Sequence, residues 1–242
     1  GNYLDNFFTT KTMSKIYTDD YFKQGFFSIQ DESAGLAAKL LSPEKDELII
    51  DVCSAPGGKT SYISEMMNNQ GQIIAVDKYL SRIEVMQKNF ERLGVKNAKV
   101  IHDDISEPRT AELKDLLIGK ADKVLVDAPC SGLGVLSKKP DIKWKREPDD
   151  IVQLQKLQME ILENALKYLK PEGKIIYSTC TTETEENMNV IENFLNVHPE
   201  FSIENAAEFV PEKVVNKEGC IELFPHIHNT DGAFSARLTR RI

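Results

Sequence analysis

From about residue 36 the apolar positions alternate between two rhythms. Short, nearly unbroken apolar runs at 48–52, 72–76, 99–102, 123–126 and 174–177 predict strands. Between several of them the apolar residues fall at helical spacing, which predicts helices over 33–41, 60–68, 81–93 and 151–169. In the third of these Ile83, Met86, Phe90 and Leu93 share a face, and Gly94 is the stop signal. The fourth is the longest, with Leu154, Leu157, Ile161, Leu162, Ala165, Leu166 and Leu169 in register. Strands alternating with helices predict an α/β fold, a mostly parallel sheet covered on both faces. The runs ELII and KVLVDAP, with little polar interruption, fit strands buried on both sides. The two ends break the rhythm. Residues 200–242 hold short strand candidates, with 233–238 as a final strand and no long helix. Residues 1–30 are rich in aromatics and read as an appendage of short helices and an extended turn.

Composition narrows the class without changing the fold. The 242 residues, 41% hydrophobic and 28% charged, fit one large domain or a domain with an appendage. No apolar run approaches a membrane span of ~20 residues. Four scattered cysteines, none in a C-x-x-C, predict neither a disulfide framework nor a zinc site, so no metal is expected and a reducing, cytoplasmic setting is. The net charge of −8 argues against a protein that holds nucleic acid by its overall field. Local basic patches remain: Lys138, Lys139, Lys143, Lys145 and Arg146 form one, and Arg237, Arg240 and Arg241 another. For the first, phosphate contacts and a solvated charged loop are the two readings.

Candidate chemistry begins at 51–60, DVCSAPGGKT, where the first strand gives way to a helix. A phosphate loop needs a glycine five residues before the Gly58-Lys59 pair, and that position holds Cys53. Pro56 removes an N–H from a loop whose task would be to donate N–H groups, and the dinucleotide pattern G-x-G-x-x-G is absent. What remains is either an ordinary strand-to-helix turn or one that lets a ligand lie across a strand end. Asp77, Asp104 and Asp127 follow the next three strands. Singly each reads as a loop residue or helix cap. Together they line the ligand crevice of an open parallel sheet, with Lys59 as its one expected basic residue. Asp77 is placed to accept both hydroxyls of a ribose. A carboxylate-rich crevice suits a cationic nucleoside such as S-adenosylmethionine better than NAD or ATP.

Two further stretches, VDAPCSGLGV (126–135) and IIYSTCTTETEEN (175–187), put Cys130 and Cys180 just past two strands of the same crevice. Their turn contexts predict exposure there, whereas Cys53 and Cys220 read as inert thiols. Methylation at C5 of cytosine needs this equipment. A thiolate adding at C6 turns C5 into a nucleophile, and a second group must later remove the C5 proton before the thiol leaves.

In order and spacing, DVCSAPGGKT, VDAPCSGLGVLSKKPDIKW and YSTCTTETEEN resemble the RNA cytosine-C5 methyltransferases of the RsmB/Sun family, from about Phe26 onward. The resemblance implies a Rossmann-like class I fold with a seven-stranded sheet over residues 31–242, preceded by a remnant of a connecting subdomain at 1–30. It implies S-adenosylmethionine held by Cys53, Ser54, Ala55, Pro56, Gly57, Gly58 and Lys59, with Asp77 at the ribose, Asp104 near the adenine and Asp127 near the methionine and target base; neighbouring Asp103 leaves that register open. It implies Cys180 as nucleophile, Cys130 as the releasing residue and Asp127 as the third catalytic group. The substrate implied is small-subunit (16S) ribosomal RNA, the full protein carrying a further N-terminal RNA-binding domain and acting as a monomer. Ser54, Thr181 and DGAFSARL depart from the usual family residues without removing a catalytic group. The rival readings are the same chemistry on transfer RNA, a non-catalytic RNA-binding module and a nucleotide-phosphate enzyme.

Overall fold

The computed structural model describes residues 1–10 and 15–241. Its strands are β1 (Leu48–Val52), β2 (Gln72–Asp77), β3 (Ala98–His102), β4 (Ala121–Asp127), β5 (Leu169–Thr179), β6 (Phe201–Glu204), β7 (Ile221–Leu223) and β8 (Ala233–Arg240). The first five run parallel in the order β3-β2-β1-β4-β5. β8 then joins β5 antiparallel. The outer edge of β8 is divided: β7 pairs with its first half and β6 with its second. Eight strands therefore fill seven lanes, which reconciles the sheet with the expected seven.

The helices are α1 (Asp20–Lys23), α2 (Glu32–Leu41), α3 (Gly58–Met66), α4 (Leu80–Leu93), α5 (Pro148–Leu166), α6 (Met188–Val197) and α7 (Pro225–His228). Alternate strand residues feed opposite faces of the sheet. Ile50, Val52, Val124 and Tyr177 pack with Ile161 and Leu162 of α5 and Phe194 of α6. Ile49, Ile73, Leu125 and Ile176 pack with α2 and α3. This two-sided burial is why the strands lack a polar face. It also puts the ends of β1, β2, β4 and β5 on one rim, where the loops carry chemistry.

The expected helix over 151–169 ends three residues early, at Leu166. Leu169 instead opens β5 opposite Ala121, and the strand then carries extra residues before Lys174 pairs with Lys123. α6 lies in a stretch for which no helix was anticipated, although Val190, Ile191 and Phe194 are buried at helical spacing. At the N-terminus Leu4 joins the α2–α3 core, with Tyr3 and Phe7 beside it. The buried Glu32 carboxylate accepts the Tyr3 and Leu4 N–H groups at 2.7 Å. No helix among the described residues is long and apolar enough to cross a membrane.

The second basic patch loses Arg237 to the core, leaving Arg240 half-buried and Arg241 exposed. Arg237 is 4% exposed. It lies in β8 between β5 and β6, donating to Glu204 at 2.7 Å and to the Leu40 and Leu41 carbonyls at 2.8 and 2.9 Å. The guanidinium thus caps the last turn of α2. Arg240 rests over the Phe201 ring, 5.2 Å from its centroid. Replacing Arg237 by Met should strand two helix carbonyls and leave Glu204 to Lys174, 3.9 Å away, costing about 1–3 kcal/mol of stability. Urea unfolding of the variant against the parent chain measures this; a midpoint within error of the parent would show that the cap contributes nothing.

Candidate active site

The loop after β1 hangs from the end of β2. Ser54 donates its N–H to the Val76 carbonyl at 3.0 Å, and Ala55 donates to Asp77 Oδ2 at 3.1 Å. The Ala55–Pro56 peptide is cis, and Gly57 N–H closes a tight turn onto Ser54 O at 2.8 Å. Gly57 has φ +90°, and an added Cβ would meet Met86 at 2.7 Å and Phe90 at 2.8 Å. Only glycine fits both the backbone and the approach of α4. Gly58 opens α3, and a Cβ there would have only Gln30 within reach, at 3.8 Å. The rim above Gly58 is therefore open, as a ligand cradle requires. Cys53, at the strand end, has its thiol pushed up to about 12 by burial.

Lys59 extends from the first turn of α3 to Asp127 Oδ1, 2.8 Å away at the end of β4. Burial works against its charge, but Asp127 outweighs it and the ammonium is held above its ordinary range. Beneath this pair lies Asp51, which the sequence reading did not single out. It has no exposure, accepts from Thr60 Oγ1 at 2.6 Å and leaves Oδ1 without a partner. Burial, resisted by Thr60, raises its carboxyl to about 7. Its signal was a lone acid inside an apolar strand.

The acids at the other strand ends differ in availability. Asp77 is buried, accepts Tyr79 N–H at 2.9 Å as well as Ala55 N–H, and has Arg82 Nη1 3.5 Å away. Arg82 also donates to the Ala55 carbonyl. Asp103 spends both oxygens on the Asp104, Arg109 and Thr110 N–H groups and the Thr110 hydroxyl, at 2.8–3.1 Å. Asp104 uses Oδ1 for Ser106, while Oδ2 faces Lys78 Nζ at 3.6 Å. Of the two, Asp104 keeps an oxygen for a ligand. Lys78 and Arg82 correct the expectation that Lys59 is the crevice's one basic residue; both follow Asp77, in the connection to α4 and its first turn.

The two thiols meet. β4 and β5 pair in register up to Asp127 and Ser178, and the turns beyond them bring Cys130 Sγ to 3.1 Å from Cys180 Sγ. The Cys180 N–H also donates to Cys130 Sγ at 3.3 Å. Cys180 is exposed and Cys130 half-buried. The hydrogen bond from Cys130 is the largest influence on Cys180 and lowers its pKa against burial, with Lys59 assisting. The same bond, with burial, pushes Cys130 well up. Of the two thiols, the exposed Cys180 is therefore the easier to ionise.

Beneath both turns is the fully buried Glu186. Its Oε1 accepts the Ser131 N–H at 2.8 Å and the Gln158 amide at 2.9 Å, and its backbone carbonyl accepts the Tyr177 hydroxyl at 2.6 Å. Gln158 also donates to the Pro129 carbonyl at 2.9 Å. Ser131 and Thr181 hydroxyls join the turns directly at 2.8 Å. Gly134 donates to the Cys180 carbonyl at 3.1 Å and accepts from Gly232 at 2.8 Å. A Cβ on Gly134 would fall 2.1 Å from the Gly232 carbonyl. Glu186 and Gln158 were not anticipated as site residues. Glu186 lay in view within TTETEEN, but nothing in a run of acids marks which one is sealed inside.

The patch at 138–146 divides. Lys138 is held by Asp31 at 2.5 Å and Asp231 at 2.8 Å, and Arg146 donates to the Ser131 carbonyl at 3.0 Å. These two have structural partners, whereas Lys139, Lys143 and Lys145 are exposed. Among the described residues no three His, Cys, Asp or Glu converge as a metal site.

The family described as 16S rRNA methyltransferase RsmB/F matches residues 38–239. The chain is 37% identical over 224 residues to a probable ribosomal RNA small subunit methyltransferase B of Bacillus subtilis, covering 91% of this chain and 49% of that protein. It is 36% identical over 219 residues to the tRNA (cytosine(72)-C(5))-methyltransferase of Pyrococcus horikoshii, covering 90% and 54%. The structure of NSun6 from Pyrococcus horikoshii with SFG matches at a TM-score of 0.82 and 33% identity, over 96% of this chain and 56% of that one. A SAM-dependent O-methyltransferase of Thermotoga maritima shares the Rossmann-like fold alone, with a TM-score of 0.54 at 14% identity over 89% and 67% of the two chains. The chain spans about half the length of the curated relatives it matches. With the family match covering most of its length, the chain belongs to the RsmB/F family of 16S rRNA methyltransferases.

Proposed function

We propose that this cleft methylates C5 of a cytosine in small-subunit (16S) ribosomal RNA, with S-adenosylmethionine as donor and Cys180 as nucleophile. The observation that carries the reading is the pair of thiols 3.1 Å apart at the ends of adjacent strands, the exposed one being the easier to ionise. The residues present suit the donor: an open rim over Gly58, a buried acid at the end of β2, and Asp104 with an oxygen to spare. Residues 53–59 would hold its methionine end with Asp127 near the reacting group. Asp77 would hold the ribose and Asp104 the adenine. When bound, S-adenosylmethionine supplies an electrophilic methyl on a sulfonium sulfur.

The chain's own part is covalent. The Cys180 thiolate forms a bond to C6, and the displaced electron pair makes C5 the nucleophile that accepts the methyl. Cys130, after losing its proton to water, takes the C5 proton; the C5–H pair restores the C5=C6 bond, and the C6–S pair returns to Cys180. Lys59 fixes Asp127 beside the Cys130 turn, next to the target base. Residues 31–242 form the methyltransferase unit and 1–30 a connecting piece, in a cytoplasmic setting that keeps both thiols reduced. Transfer RNA is the second reading, favoured by the nearly equal identity to a tRNA methyltransferase. Bisulfite mapping of ribosomal and transfer RNA from a deletion strain separates the two: a lost 5-methylcytosine in 16S RNA supports the first, one lost only from tRNA the second.

Cys180→Ala should abolish methyl transfer and trap no RNA, whereas Cys130→Ala should methylate once and stall as a covalent adduct. A denaturing gel with radiolabelled RNA reads both, and a retarded band from Cys180→Ala alone would reverse the assignment. Without RNA, Cys180 should react with iodoacetamide at a pH below that of an ordinary thiol. Cys130→Ala removes the bond that lowers its pKa, so the alkylation midpoint should move up; an unmoved midpoint would mean the two sulfurs are not coupled.

Asp77→Ala should weaken S-adenosylmethionine binding by roughly ten- to a hundredfold, the worth of one charge-assisted hydrogen bond. Calorimetry on the folded variant decides, and an affinity equal to the parent's would remove Asp77 from the ribose site.

A further inference from the structure

Trp144 is the chain's one tryptophan, and 81% of its surface lies in solvent. An indole held out in water keeps a face free for a stacking partner. Looseness of the segment is not the reason, because residues on both sides are fastened near the thiols. Lys138 is tied to Asp31 and Asp231. Ile142 leans on the Cys130 turn, its Cδ1 3.2 Å from where a Cβ on Gly132 would stand. Arg146 grips the Ser131 carbonyl at 3.0 Å, and Glu147 and Asp150 then form the capping box of α5. Trp144 closes the short 3-10 turn Pro140–Trp144, two residues from each of the nearer anchors.

Its surroundings are basic. Lys143 Nζ stands 5.3 Å from the ring centroid, and Lys139 and Lys145 are exposed nearby. Asp141 is the one acid between 138 and 146. An aromatic plane among unpaired ammonium groups matches a single-stranded nucleic acid, which offers base faces and phosphates together. The chemistry sharpens the match. A cytosine reaches Cys180 only when taken out of its stack, which leaves the neighbouring base without a stacking partner.

We infer that Trp144 is a stacking platform for the RNA base next to the target cytosine, with Lys139, Lys143 and Lys145 taking the flanking phosphates. The inference rests on the proposal that RNA is the substrate. Trp144 is a positioning residue: it holds the strand so that the target ring is presented to Cys180.

As the sole tryptophan, Trp144 alone determines the chain's indole fluorescence. The 242-residue chain titrated with a single-stranded, cytosine-containing oligoribonucleotide should be quenched in step with the anisotropy of an end-labelled copy of the same RNA. Trp144→Ala should weaken RNA binding by about five- to a hundredfold, leave S-adenosylmethionine affinity unchanged, and raise KM for RNA more than it lowers kcat. Trp144→Phe should recover most of the loss. Saturating anisotropy with unmoved indole fluorescence would overturn the inference, as would equal RNA affinity of the parent and Trp144→Ala. Conversion of a dimer to a monomer by Trp144→Ala, with RNA affinity intact, would overturn it in favour of a self-association surface. No anisotropy change for the parent chain at any concentration would instead count against RNA as the substrate, and the stacking role would fall with it.

Discussion

The distance between the two sulfurs depends on a carboxylate that never meets solvent. Glu186 sits below the turns after β4 and β5, and its Oε1 gathers the Ser131 N–H and the Gln158 amide. Gln158 in turn holds the Pro129 carbonyl, so the peptide units on both sides of Cys130 are fixed from beneath. A buried carboxylate is tolerated only when hydrogen-bonded; here Oε1 is bonded to the groups that need placing, while Oε2 is left without a partner. Gly134 and Gly232 hold the other side by backbone contact too close for any side chain. The parallel register of β4 and β5 delivers the two turns to the same rim, and Glu186 converts that proximity into a fixed sulfur separation.

A second constraint is electrostatic. Asp51, Lys59 and Asp127 form a column from the core to the floor of the cleft, with one cation serving two acids. Lys59 pairs directly with Asp127 at 2.8 Å and is felt at Asp51 only at longer range. Burial, with Thr60 resisting it, pushes the Asp51 carboxyl up to about 7, and one of its oxygens has no partner. Burial makes each charge in the column expensive, and the pairing directs Lys59 toward the cleft rather than the core. Lys59 reads in sequence like the lysine of a phosphate loop, but its partner in the fold is a carboxylate.

The sheet was legible because period-two burial on both faces leaves unbroken apolar strands, and the helices were legible because each covers one face. Errors gathered where pattern and tertiary packing part company. Leu169 continues the helical spacing of α5 yet pairs with Ala121, since the chain must turn back into the sheet. Arg237 looked like a surface charge and is a helix cap in the core, because the end of α2 covers the face of β8 from which it projects. At the site, Cys130, Cys180, Asp77 and Asp127 were visible because strand-end turns place side chains in one crevice. Glu186, Gln158 and Asp51 were not, because a buried polar residue is distinguished by its partners, and those lie far away in sequence.

The asymmetry of the thiol pair bears on the order of the proposed steps. While Cys180 is the thiolate, Cys130 is held as the donor of the bond between them, and its own ionisation is suppressed. Two thiolates at 3.1 Å would repel strongly in a half-buried site. Once Cys180 is bonded to C6 its sulfur is neutral, and the largest cause of the raised Cys130 pKa disappears. In the proposed scheme Cys130 would then ionise more easily, with burial still opposing it, at the stage when a base is wanted. In that scheme the first covalent step prepares the group needed for release, and the hydrogen bond between the sulfurs keeps nucleophile and base from competing.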